Sequence, residues 1–348
     1  MALRSGFISH GDRRWLDVLE HIPHDVHHLP PVLETMARST TSGEISAFVA
    51  ADGDDVFFMP LAIRRIPESD GLVDAMSPQV FAGPLAGGSG SHSADFVDKV
   101  VAAFRKDFGA QGGVSALVRL HPLLSPSEEL FKPHGELARH VDSVTIDLTL
   151  SEDEQWQQIR SNHRRDIRKA IARGYTVRME NEWESLPEFF QTYNQSMERL
   201  AVEVHSRLDI EQLSDLRRAL GDHGHLCVAE YRGDVVGGAI VTEIEGLVEY
   251  HIAGTADSHT RESPSKLVIQ SVIEWARSRG NRILHLGGTP LQNKSLLNFK
   301  LGFSSNTYPV HSLRVIADQD AYADLAAKRL EVIGAPEDPG YFPAYRAN

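Results

Sequence analysis

Three groups of residues are of a type and spacing to do chemistry. Lys300 closes the stretch from Ile283 to Phe303, ILHLGGTPLQNKSLLNFKLGF, where one cation ends a largely apolar helical run just before Leu301-Gly302. In the plainest case such a lysine only complements the helix dipole. The second group is a basic run. Arg160, Arg164, Arg165, Arg168, Lys169 and Arg173 face the single acid Asp166, a local charge of +5 in a chain of net charge -13. A run of this kind is either a solvated helix face or a surface that tracks phosphates. The third is Tyr250-His251 on an apolar strand, where alternation turns one of the pair toward the core. Arg119 and His121 end another strand, where loop-borne function tends to collect.

Other reactive types read more plainly. His24, His27 and His28 crowd before Pro30-Pro31, but the prolines break the ligand spacing and no acid is paired with them, so no metal site is expected. Cys227, the one cysteine, sits in Leu226-Cys227-Val228-Ala229 and reads as core filler, with neither disulfide nor catalytic role.

The elements that must position these groups follow from periodicity. Residues 15–22 suggest a short helix, and 45–50 with 56–64 a hairpin around Asp52-Gly53-Asp54-Asp55. Residues 72–84 read as a strand running into a proline-bound loop, 85–91 as a flexible connection, 96–108 as a helix, 114–121 as a buried strand and 126–131 as a short helix. A domain change is expected near 140–150, giving one domain over 1–140 and a second over 141–348. Ser151 with Glu154 forms a capping box that starts one helix carrying the basic run, with Trp156, Ile159, Ile167 and Ile171 as its apolar stripe. Helices at 186–200 and 210–220 precede a three-strand meander over 225–232, 234–244 and 247–254. A long helix (263–279), the 283–286 strand, a break at Gly287–Pro290, the Lys300 helix, a returning strand (310–316) and a trailing helix (317–333) complete the chain.

At 348 residues the chain can bury two ordinary cores, and 41% apolar with 24% charged content describes a globular protein. No run reaches the length of a membrane helix and the N-terminus lacks an apolar signal core, so a cytoplasmic location is expected. The negative balance argues against general nucleic-acid affinity; contact with RNA would need a local basic patch.

Three segments resemble the Fem-type transferases of the GNAT superfamily. LHLGG with SLLNFKLGF is similar to that family's "DLGG…LFRFKxGFG", RSNHRRDIRKAIARGY to its "RRxIRKAxKxGV", and SPQVFAGPL to its "PxGP" segment. Three positions depart from the pattern: His285 stands where Asp is common, Asn298 where Arg is common, and Ser304 where Gly often follows. The resemblance implies an α/β fold with mixed sheets, built as tandem GNAT-like domains with a cleft between them. It implies transfer of an amino acid from aminoacyl-tRNA to an amine. Lys300 would be the cation that meets the developing oxyanion, a contribution of about 2.7–4 kcal/mol for such a donor. Tyr250, His251, His285, Asn298, Arg119 and Phe81 would contact the acceptor, and Arg164, Arg165, Arg168 and Lys169 the tRNA phosphates. No metal and no other cofactor is implied, since the ester is already activated.

Acetyl-CoA is not expected. A GNAT enzyme seats its pyrophosphate on bare amides of a glycine-rich turn. Here that turn reads Arg261-Glu262-Ser263-Pro264-Ser265-Lys266, with a proline that has no N–H, a bulky lysine and an added anion. A CoA-dependent N-acyltransferase and a non-catalytic GNAT-like binding module stay open as alternatives. The acceptor, the amino acid and the oligomeric state are not legible.

Overall fold

The computed structural model describes residues 3–40, 43–67, 69–79, 81–204 and 207–348. Val80, within the segment compared with PxGP, and Met1-Ala2 of the N-terminal stretch lie outside them. The chain forms two compact units, Met1–His140 with Val310–Asn348, and Val141–Pro309.

In the first unit β1 (Arg4–Ser9), α1 (Arg13–Leu19), α2 (Pro30–Thr40), β2 (Glu44–Asp52), β3 (Asp55–Arg65), β4 (Val73–Met76), β5 (Leu85–Gly87), α3 (Ala94–Gly109), β6 (Gly113–Arg119) and α4 (Glu128–Phe131) follow one another. The expected hairpin closes with Asp52 opposite Asp55, and Gly53 takes the left-handed φ of +65° that the turn requires. Ser93 caps α3 by accepting from the Phe96 N–H. Helical spacing then buries Phe96, Val100, Phe104 and Phe108 against Phe48, Phe57, Ala116 and Val118 of the sheet. The stretch after Pro84 is ordered, contrary to expectation. Its first residues form β5 on β3, and the Gly90 N–H donates to Asp55 Oδ1 at 2.7 Å. Glycine serves close approach there, since a Cβ on Gly88 or Gly90 would collide with Asp55.

The histidine-rich stretch is also paired, where the sequence suggested no acidic partner. Asp25, 3% exposed, lies 3.1 Å from His121 Nε2 and accepts from the His27 N–H, while His28 Nε2 sits 3.0 Å from the Gly83 carbonyl oxygen. Burial pushes the Asp25 carboxyl up, but the surrounding imidazoles outweigh it and hold it well below the carboxylate range.

β7 (Glu136–Asp147) leads into the second unit, which continues with α5 (Glu152–Gln158), α6 (Ser161–Ala172), β8 (Tyr175–Glu180), α7 (Leu186–Arg199), α8 (Ile210–Leu220), β9 (Gly224–Tyr231), β10 (Asp234–Ile244), β11 (Leu247–Thr255), α9 (Pro264–Ser278), β12 (Ile283–Pro290) and α10 (Lys294–Lys300). β13 (Thr307–Ile316) and α11 (Gln319–Ile333) end the regular structure. The expected single helix after Ser151 is two. Ile159 and Arg160 are extended between α5 and α6, because the Arg160 N–H donates to Gly302 O at 2.8 Å and Ile159 is buried. Ile171, read as part of the apolar stripe, is 56% exposed; Ala170 takes the inward position.

Both units share one strand plan. The strand order is β1-β2-β3-β4-β6-β13 in the first unit, with β5 beside β3, and β7-β12-β11-β10-β9-β8 in the second. In each, an antiparallel series leads to one parallel pair, β4·β6 or β11·β12, joined across a helix, α3 or α9. An antiparallel strand then flanks that pair. The strand expected to return to the second domain, β13, pairs with β6 instead, with Ser312 opposite Arg119 and Ile316 opposite Ser115. Its alternating Leu313 and Val315 bury in the first unit's core, which fixes that choice.

Candidate functional site

The parallel pairing of β11 with β12 covers three residue pairs and ends at Glu249 opposite His285. At the same level β11 carries a bulge. Ile240 pairs with Ile252 and Val241 with Tyr250, so His251 is the extra residue. The two expected neighbours therefore part company. His251 Nδ1 lies 3.6 Å from Glu249 Oε2, whereas Tyr250 packs on the core, and burial pushes its hydroxyl far above the ordinary tyrosine value.

β12 does not break at Gly287, as the sequence suggested. It resumes pairing with β7 at Gly288 opposite Ser143, after a register shift that turns the Gly287 backbone to a φ of +73°. That irregularity presents two carbonyl groups to the lysine. Lys300 Nζ donates to Gly287 O and Gly288 O at 2.9 Å each, and its side chain is only 8% exposed. An ammonium has three N–H groups, so one remains to meet an oxygen of a substrate. The partners belong to β12 rather than to α10, so helix-dipole complementation does not describe this lysine. Burial pulls its pKa down to about 8, with Glu249 pulling the other way.

The lysine is held by packing below it. Asn293 caps α10 by accepting from the Leu296 N–H at 3.0 Å. A Cβ on Gly302 would run into the His163 ring, so this glycine is required by contact and not merely as a helix stop. His163 Nε2 lies 3.0 Å from Phe299 O and its ring 4.9 Å from that of Phe303, which locks α6 onto α10.

His285, 1% exposed, bonds Ser143 Oγ, and its Nδ1 is 3.8 Å from Glu249 Oε1. The structure thus brings together Lys300, His251 and His285, and adds Glu249, Ser143 and the two glycine carbonyls. Glu249 was legible as the residue two before His251 on one strand face. Ser143 had no sequence signal, because only strand pairing places it there. Thr289 Oγ1 is buried close by in sequence with no partner among the described residues.

Within the second unit, Asn298 and the basic residues of α6 lie apart from this group. Asn298 is exposed and lies about 200° round α10 from Lys300; its carbonyl accepts from Arg160 at 3.3 Å. On α6, Arg165 pairs with Asp166 at 3.4 Å and Arg168 lies over the Trp156 ring at 5.3 Å. No acid among the described residues pairs with Arg164, Arg168 or Lys169. Phe81 and Arg119 belong to the first unit. Phe81 is buried between the rings of His27 and His121, at 5.8 and 5.9 Å, and Arg119 is half-buried at the end of β6.

The turn before α9 offers few amides. Ser263 is left-handed at φ +52°, and its N–H donates to Thr260 O, while the Lys266 N–H donates to Ser263 O. Pro264 has no N–H, which leaves Ser265 between them. Lys266 is held by Asp166 at 2.6 Å and Glu262 by Arg173 at 3.2 Å. A diphosphate is best held by several bare donors.

Residues 157–299 match the acetyltransferase (GNAT) domain family. No curated protein sequence matches the chain. Among solved structures it is similar to FemX, with a TM-score of 0.70 and 11% identity over 92% of this chain and 99% of that one. It is similar also to L-PGS from Bacillus licheniformis (TM-score 0.56, 13% identity, 89% and 94% covered). A third is the C-terminal domain of a putative lysylphosphatidylglycerol synthetase from Agrobacterium fabrum (0.54, 14%, 92% and 95%). The fold is the mixed α/β fold found in FemX, as the sequence resemblance implied.

Proposed function

We propose that the protein is a Fem-like aminoacyltransferase that moves an amino acid from aminoacyl-tRNA to an amine of a peptide, a peptidoglycan precursor or a natural-product intermediate. One observation carries this reading: a buried lysine, fixed by two backbone carbonyls with a third N–H to spare, in a fold shared with FemX. The amine nitrogen attacks the ester carbonyl carbon, the C–N bond forms, and negative charge builds on the carbonyl oxygen. The spare Lys300 N–H meets that charge from a position set before the reaction begins. The C–O bond to the ribose then breaks. The proton shed by the amine passes through the His251–Glu249–His285 group to the departing ribose oxygen. Arg164, Arg168 and Lys169 form the patch that tracks tRNA phosphates. The test is incubation with a mixed pool of charged tRNA and candidate amines, read by product mass. Formation of an amide with wild-type protein but not with Lys300→Met supports the reading; no product with any amine removes it.

A second reading, an acyl-CoA-dependent N-acyltransferase, is favoured by the GNAT domain match over residues 157–299. The turn before α9 argues against it. Acetyl-CoA should leave the melting temperature unchanged where aminoacyl-tRNA raises it.

A further inference from the structure

A cavity of about 250 Å³ opens in the first unit, on the side of its sheet where Arg119, Arg64 and Arg314 meet His140. Two of these arginines are committed. Arg64 pairs with Asp74 at 2.8 Å, and Arg314 with Glu136 at 2.9 Å and with Gly340 O at 2.8 Å, its guanidinium lying over the Phe342 ring at 5.6 Å. Arg314 Nε is buried and bonds to nothing described. Arg119 differs. Its backbone N–H donates to Ser77 Oγ, but its guanidinium makes no hydrogen bond or ion pair with any described residue, and burial alone moves its pKa down. Burial first, and then Arg119, Arg314 and His311, hold His140 toward its neutral form. The one carboxylate among the described lining residues, Asp338, is exposed at the rim and accepts from the Gly340 N–H.

Arg119 is half-buried, and a guanidinium largely withdrawn from water is costly to leave without a partner. The missing partner is therefore one that arrives from solution. The arginine fork matches the paired oxygens of a carboxylate or a phosphate. Met76, Leu117 and Phe342 supply an apolar wall beside it. We propose that this cavity binds a small organic anion, an oxyanion head on a short apolar body, with Arg119 gripping the head.

Benzoate and phenyl phosphate share one body and differ in the head, so thermal unfolding in each, against sodium chloride of equal ionic strength, tests the site. Wild-type protein should melt about 2–4 °C higher in at least one of them at saturation, and the stronger arm identifies the head. Arg119→Met should lose that rise and, without anion, melt no lower than wild type. An equal rise in Arg119→Met overturns the proposal. So does a wild-type protein moved by neither probe beyond the chloride control, whatever the variants do. If Arg119→Met fails to fold, Arg119→Lys, which keeps the charge and loses the fork, should show a weakened rise; an undiminished one overturns the proposal equally.

Discussion

In the proposed mechanism the chemistry turns on Lys300, and the burial of this residue makes two predictions. Its folded pKa of about 8 lies below the ordinary 10.5, so the unfolded chain binds the extra proton between those values. Stability should therefore rise with pH across that window, with the cost of the buried ammonium complete below about pH 8. The shift corresponds to about 3 kcal/mol at most. Urea unfolding of wild type and Lys300→Met at pH 7.5 and 9.5 checks this: the wild type should gain on the variant, and a constant difference would show the lysine to be unshifted. If the ammonium is the oxyanion donor, the ratio of wild-type to Lys300→Met transfer rates should also fall as pH passes about 8. A ratio that climbs instead would mark the lysine as a base. The lysine was singled out by the resemblance of its segment to the Fem-type signature; its place at the end of an apolar helical run suggested only dipole complementation. Its partners were not legible, because Gly287 O and Gly288 O come into reach only through the register shift in β12.

At the scale of elements, α10 and α6 are one device. Gly302 faces the His163 ring with no room for a methyl group, so Gly302→Ala should destabilise by about 1–3 kcal/mol and weaken transfer by displacing Lys300. Chemical denaturation and kcat measure the two effects; a variant of unchanged stability would mean that the helices slide apart freely. The exposed face of α6 carries Arg164 and Arg168 without acidic partners. Arg164→Glu with Arg168→Glu should weaken tRNA binding and lower the slope of log K against log salt by about 2. An unchanged slope in filter binding would return the basic run to a merely solvated face. Most elements were readable from alternation and helical spacing. Two of the failures share a cause: the break at Ile159-Arg160 and the strand at Leu85–Gly87 are each imposed by a partner remote in sequence, Gly302 O and β3.

In the whole molecule, one strand plan is used twice, and its second use holds the candidate site. The order of elements gave this plan away in the second half, where the meander, the α9 crossover and the β12 strand follow the expected succession. The C-terminal strand did not follow it, because alternation shows which face of β13 is buried but not against which core. The donor is decided at the same scale, by a whole tRNA on a basic face or by a nucleotide on the turn before α9. The most direct test of the account is single-turnover transfer of a labelled amino acid from charged tRNA to an accepting amine, by wild-type protein and by Lys300→Met. The account predicts amide formation that the variant slows about 100- to 1000-fold with circular dichroism unchanged. Equal rates in the two proteins would contradict it.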